Sequence, residues 1–460
     1  MGSFVSTFER IMMPIAGRIS SNKYLLAMRD AFSMLLPFII VGSFFGIIEW
    51  VVLDPWGTIM GENGLNLGAT LTGLTGDAYK ASGFVATMQM LQGLCNNVVT
   101  VGFGCFSFLL VAAFAYRLGT IWGGDPFSTA LTAIGAFIII TPQQVIGKAG
   151  DKLGGFSLDY FGNKGVLTAI IVATVASWLF VKLSKNEKIR IKMPDTVPPA
   201  VSQSFAVLVP VLVTLSVFTV FATCLSQAQF FGKAALNDLI YAIIQAPLMG
   251  FSQGIGFSQG IGFSLLYQFI VWFFWWFGIH GHNVTAAIQN MVYMPAQLAN
   301  QAGDAAYIFS NGFFEAGLMH VMGLVIAIFL FSKKDSWRAV AKLGAPAMLF
   351  NIQEPLAFGI PIVLNPLLLI PYILAPLANT VVGWLAVSAG IVPIFKYVVP
   401  WTMPLFFGGT IGTGSVMGGL LQVVWLVMDV CIYAPFVIAS NKVKDEEEEA
   451  EESEPQDEAA

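Results

Sequence analysis

Charge is what this sequence has least of. Charged residues make up 11% of its 460 positions and hydrophobic ones 56%, and the mean hydropathy is +0.76. A soluble domain carries roughly 25% charged residues, so a water-soluble globular fold is excluded. Cysteine is scarce as well: Cys95, Cys105, Cys224 and Cys431 lie far apart in apolar stretches with no C-x-x-C pair. That spacing argues against a disulfide framework or a metal site. No G-x-x-x-x-G-K-[ST] occurs, which argues against an ATP-driven pump. Met1–Lys23 is a mixed segment with Arg10 and Arg18 and lacks the pattern of a signal peptide, and the match of Met1–Ser6 to a myristoylation pattern reads as coincidence.

What is present is a series of apolar runs, each near the roughly 20 residues needed to cross a bilayer. They lie near 33–53, 98–116, 126–143, 165–183, 204–225, 258–279, 316–332, 362–388 and 413–440, with shorter or interrupted stretches near 81–97, 283–300 and 341–360. The pattern predicts an all-α polytopic membrane protein of about eight to ten transmembrane helices plus re-entrant hairpins. Lysine and arginine set its orientation. Arg10, Arg18, Lys23 and Arg29 precede the first span, and Arg117, Lys182–Lys192 and Lys333–Lys342 follow later ones, whereas 54–79 has no Lys or Arg. Both termini are therefore expected in the cytoplasm and 54–79 outside. Ten of the 27 acids fall in Asp445–Glu458, which leaves 17 acids against 22 bases before it.

The basic, proline-rich stretch 182–199 is the clearest internal boundary. We expect an N-terminal bundle over 1–225, a C-terminal bundle with broken helices over 226–440, and a disordered acidic tail over 441–460. The repeated hexapeptide at 251–256 and 257–262 reads as a surface for close helix packing, since no strand precedes it and it lacks the lysine of a phosphate loop.

Three interrupted segments in the second half combine helix breakers with polar groups: Gly278-Ile-His-Gly-His-Asn283, Asn351-Ile-Gln-Glu-Pro355 running on to Pro361, and Pro400-Trp-Thr-Met-Pro404. Broken helices at membrane depth are tolerated where freed backbone groups face protein or a watery cavity, and several in one half point to a transport site. Glu354 is the only acid between Asp335 and Asp429. An ionisable group at that depth is by default one that handles substrate or a proton. The plainer alternative is a neutral carboxyl bonded to a backbone carbonyl. His280 and His282 are two apart and diverge on a helix, so a metal pair is not expected. Either His280 is satisfied by neighbouring carbonyls or it partners Glu354 or a bound hydroxyl. Trp401 is a stacking surface or an interfacial belt residue. An aromatic face, a carboxylate, an imidazole and amides together suit a sugar, whose C–H face stacks while its hydroxyls need paired donors and acceptors.

At these residues the sequence resembles the membrane-embedded IIC component of the bacterial sugar phosphotransferase system, in its lactose/cellobiose/diacetylchitobiose branch. The likeness spans nearly the whole chain and includes Ile191-Lys-Met-Pro-Asp-Thr-Val-Pro198, Val201-Ser-Gln-Ser-Phe205 and Gly359-Ile-Pro-Ile-Val-Leu-Asn-Pro366. The resemblance implies a homodimer in the bacterial cell membrane whose N-terminal bundle forms the interface. Its C-terminal bundle would carry a disaccharide by an elevator-like movement. A cytoplasmic IIB protein, charged through IIA and a phosphocarrier protein, would supply the phosphoryl group, so transferase activity would belong to the complex. By motif position Glu354 and His280 match the pair that contacts the hydroxyl to be phosphorylated, and Trp401 the stacking residue. Asn290, Asn351, Gln353 and Thr402 complete the expected binding set. No cofactor, metal or nucleic acid is implied. His282, Asn283 and a short 301–315 loop depart from the family pattern, as does the acidic tail; no IIA or IIB domain is expected to follow Ser440. A proton-coupled carrier of unmodified sugar is the alternative, with a non-transporting sugar sensor as a third class.

Overall fold

Helix starts in this chain are set by short polar caps and by proline. Asn22 accepts from the backbone N–H groups of Tyr24 and Leu25 at the head of α1 (Lys23–Met34), which leads into α2 (Leu36–Gly46). After α3 (Gly83–Val99) and α4 (Phe106–Ile121), Asp125 and then Pro126 open α5 (Pro126–Ile140). These are the residue types that satisfy or dispense with the orphan donors of a first turn. The computed structural model describes residues 22–442 except 63–64, 147–150, 163–164, 195, 253–259, 304–305 and 361. The basic N-terminal residues Arg10 and Arg18, most of the hexapeptide repeat, and the acidic tail from 443 lie outside the described residues.

The chain continues through α6 (Val166–Ser184), α7 (Leu208–Ala228), α8 (Leu236–Ser252), α9 (Ile261–Trp276), α10 (His320–Phe331), α11 (Asp335–Met348), α12 (Glu354–Gly359), α13 (Pro366–Ser388), α14 (Phe407–Thr413) and α15 (Val416–Ser440). In the first half α4 is central, packed by α1, α5 and α6, with α7 laid against α5 and α6. In the second half α13 sits between α9 and α15, and α15 also carries α10 and α14. The two groups meet where the short α12 lies on α1 and α2. There Phe32 of α1 stacks on Phe358 of α12 at 5.0 Å between ring centroids, and Phe106 of α4 closes the trio. Such ring pairs add to the area they bury.

The all-helical architecture is as expected, and among the described residues the only sheet is a two-stranded hairpin in the 144–164 connection, β1 (Gln144–Ile146) against β2 (Lys152–Gly154), with Val145 opposite Leu153. Among the described residues five helical stretches are long and apolar enough to cross a membrane, and up to seven if each bent pair counts as one span. The pairs Lys23–Met34 with Leu36–Val52 and Gly83–Gly104 with Phe106–Ile121 bend by 43° and 40°, and each ends or breaks in a π-helical turn, Ile47–Val52 and Thr100–Gly104. Two expected spans are realised as shorter apolar helices, α5 and α9, of 15 and 16 residues. At 1.5 Å per residue these reach about 24 Å at most, under the roughly 30 Å hydrocarbon core. Breaks at Thr141 and at Gly278 stop them early.

The basic residues that predict orientation gather at common ends. Arg117, at the end of α4, pairs with Asp30 of α1, which also faces Arg29, and Lys185 beyond α6 donates to the Trp122 carbonyl beyond α4. In the second half Asn441 after α15 accepts from the Lys333 N–H and donates to the Phe331 carbonyl after α10. Large apolar side chains face outward around the whole body, for instance Leu212, Val220 and Phe221 on α7. A soluble monomer rarely exposes such continuous apolar surface, and lipid accounts for it.

Candidate functional site

The site is assembled from the three broken segments. Helix α9 ends in a run of aromatics and stops in a Schellman turn: the Gly278 N–H bonds to the Trp275 carbonyl, and the Ile279 N–H bonds to the Phe274 carbonyl. That turn places Gly278 at φ +74°, and a Cβ there would stand 2.6 Å from the Phe32 ring. Both the left-handed backbone and the close approach call for glycine. The chain then turns at His280, whose Nδ1 accepts the Asn283 N–H at 3.3 Å and caps the four-residue helix Gly281–Val284. A neutral imidazole that accepts at Nδ1 carries its proton on Nε2, so this ring is left with one donor to offer. At Gly281 a Cβ would fall 1.9 Å from the Val271 carbonyl oxygen, which is why the turn can fold back on α9. His282 is spent differently: its Nδ1 accepts from Trp275 Nε1 at 3.2 Å, and its ring stands edge-on to Trp272. It belongs to the packing of the aromatic cluster.

Glu354 opens α12, with Pro355 behind it. The first turn of a helix, with unpaired N–H groups and the positive end of the dipole, favours a carboxylate. Glu354 and His280 line the same small cavity, together with Gly278, Trp275, Phe103 and Phe358. It encloses about 10 Å³, room for roughly one water, so in this arrangement no sugar fits beside the two half-buried polar groups.

The other expected residues are distributed around this pair. Asn351 sits at φ +63°, a conformation asparagine tolerates better than most residues, and its Nδ2 donates to the Trp401 and Met403 carbonyls. It ties the Glu354 segment to the Pro400–Pro404 segment. Gln353 is buried and accepts from the Tyr372 hydroxyl at 3.2 Å. Trp401 and Thr402 do not reach the Glu354 cavity; they line a separate cleft of about 350 Å³ whose other wall is Trp50, Asp54 and Trp56. Asn290 lies exposed on a π-helical turn, outside both spaces.

Sequence reasoning passed over a chain of buried polar groups behind the site. His320 of α10 is fully buried, faces the Trp272 ring at 4.1 Å and pairs through Nδ1 with the Tyr433 hydroxyl at 3.0 Å. Asp429 of α15 accepts from Asn379 of α13 at 3.1 Å. Both ionisable residues stand inside apolar runs, and that was the signal available: such groups within a span are costly and usually face the bundle interior.

Comparison with known proteins shows the family of the chain. The family model described as "Phosphotransferase system, EIIC" matches residues 29–376. An oligo-beta-mannoside-specific EIIC component of Bacillus subtilis (strain 168) is 32% identical over 95% of this chain and 94% of its own length. A cellobiose-specific EIIC component of Lactococcus lactis subsp. lactis (strain IL1403) is 28% identical over 97% of this chain and 100% of its own. A lactose-specific EIICB component of Streptococcus mutans serotype c is 27% identical over 99% of this chain, which spans 74% of that protein. Since the family model covers more than half of the chain and a near-full-length relative exceeds 30% identity, this integral membrane protein belongs to the EIIC family of the phosphotransferase system.

Proposed function

We propose that this chain binds a disaccharide of the cellobiose, diacetylchitobiose or lactose class, carries it across the cell membrane and presents it to a phosphorylated cytoplasmic IIB protein. The observation that carries the reading is that Glu354 and His280, 74 positions apart in sequence, share one cavity at the junction of the two helix groups. Relatives named for cellobiose, lactose and oligo-beta-mannoside support the substrate class, and the EIICB relative supports a IIB partner. In this reading the second group of helices moves in an elevator-like manner against the first. The first forms a homodimer, with α7 as its free face, since only 22% of the most apolar window of α7 is buried.

The sugar hydroxyl oxygen attacks phosphorus on the IIB phosphocysteine, the S–P bond breaks, and the thiolate leaves. Glu354 takes the hydroxyl proton, and the His280 Nε2–H orients the hydroxyl oxygen. Asn351, Gln353, Trp401 and Thr402 hold the sugar or the segments that meet it, with positioning supplying much of the catalysis. Glu354→Gln keeps size and most hydrogen bonding but removes the base. It is expected to bind disaccharide and to lose phosphorylation by phospho-IIB; phosphorylation at the parental rate would show that Glu354 is not the base.

One observation favours a second reading, proton-coupled transport of unmodified sugar with Glu354 as the proton carrier. The buried His320–Tyr433 and Asp429–Asn379 pairs supply further ionisable groups in the same half of the molecule. The chemical form of the delivered sugar separates the two.

A further inference from the structure

The cleft between the two helix groups combines, on one wall, Trp50, Asp54 and Trp56 from the end of the first bent span and, on the other, residues 398–402. Its volume of about 350 Å³ is in the range of small-ligand sites, whereas the cavity at Glu354 and His280 holds about 10 Å³. The geometry points to this cleft as a second, outer saccharide site, in which Asp54 and Trp56 hold a neutral sugar before it reaches Glu354. The inference rests on the reading that the substrate is a sugar.

Each wall is built for that ligand. Trp56 is 45% exposed and Trp401 42% exposed, so both present aromatic surface to the cleft that burial has not consumed. Trp56 is held edge-on by Tyr79 at 5.6 Å, and the Tyr79 hydroxyl donates to the Pro55 carbonyl. Its orientation is therefore fixed by packing. Asp54 Oδ1 accepts the Trp56 N–H at 3.0 Å, and among the described residues no hydrogen bond engages Oδ2. A carboxylate with one oxygen committed to its own turn and the other free accepts from a hydroxyl on a stacked ring. The connection 54–79 has no Lys or Arg, so no basic residue of that connection turns the cleft toward an anion. By the distribution of positive charge it lies on the outer face.

The cleft also borders the inner cavity. The Trp401 ring lies 5.6 Å from Trp50, and Trp50 lies 5.8 Å from Phe103, which lines the cavity of Glu354 and His280. Trp50 is thus the partition between the two spaces. At the same place the Thr58 and Thr402 hydroxyls join the walls at 2.9 Å. Because one wall belongs to each helix group, relative movement of the groups takes the clamp apart. The outer site then holds sugar only while the molecule faces outward.

The test compares the two faces. Initial uptake by right-side-out membrane vesicles gives the KM for external cellobiose, and phosphorylation by phospho-IIB in inside-out vesicles gives the KM from the cytoplasmic side. Asp54→Asn keeps the Oδ1 acceptor for Trp56 but loses the charge, and a hydrogen bond to a charged group is worth enough to change affinity about tenfold. The ratio of external to internal KM is expected to rise about tenfold in Asp54→Asn and to rise also in Trp56→Ala, whose side chain is half exposed. A ratio unchanged in both variants, whether neither KM moves or both move together, would overturn the outer site. A parental chain that makes no sugar phosphate would instead refute the proposed phosphoryl transfer, and the external KM of each variant relative to the parent would still read the cleft.

Discussion

Gly278 shows how much of the site rests on one missing side chain. Alanine there must adopt a left-handed backbone, at a cost of roughly 1–2 kcal/mol, and must also displace the Phe32 ring from 2.6 Å. Phe32 is itself held between Phe106 and Phe358, so the strain passes into the junction of the two helix groups. Gly278→Ala is expected to lower the midpoint of thermal unfolding in detergent and to weaken disaccharide binding; an unchanged midpoint would show that the turn relaxes freely. At this scale the sequence was informative where chemistry is rare. One acid in a long apolar stretch and two of three histidines beside a helix break were enough to pick out Glu354 and His280, which the structure brings to one cavity. It was silent on Trp50, Asp54 and Trp56. They sit where a span runs into its outer connection, a place where an aspartate and tryptophans are ordinary, and only the fold brings them opposite Trp401.

At the scale of elements, the broken segments act as a linked set. Asn351 fastens the turn before α12 to residues 401 and 403, and the Leu364 N–H bonds to the Trp276 carbonyl, which joins the chain before α13 to the end of α9. Hydropathy located these breaks but did not fix span lengths, because proline, glycine and π-helical turns interrupt apolar runs that read as continuous. The runs at 126–143 and 258–279 therefore became helices of 15 and 16 residues. The Thr58–Thr402 hydrogen bond is the natural place to test movement between the groups. With the four native cysteines replaced, Thr58→Cys/Thr402→Cys places two thiols within reach of a disulfide. Oxidation is expected to stop sugar uptake and reduction to restore it. Uptake that continues with the cross-link formed would show that the two groups need not move apart.

At the scale of the whole molecule, apolar surface, helix count and the clustering of Arg29, Arg117 and Asp30 at one end describe an integral membrane protein. The inner cavity and the outer cleft lie along the seam between its two groups of helices. Family membership fixes the system this chain belongs to; the fate of the sugar is the step that remains to be measured. Membrane vesicles containing this chain, supplied with phospho-IIB inside and labelled cellobiose outside, are expected to accumulate cellobiose phosphate. Accumulation of free cellobiose alone, with no sugar phosphate, would contradict the account.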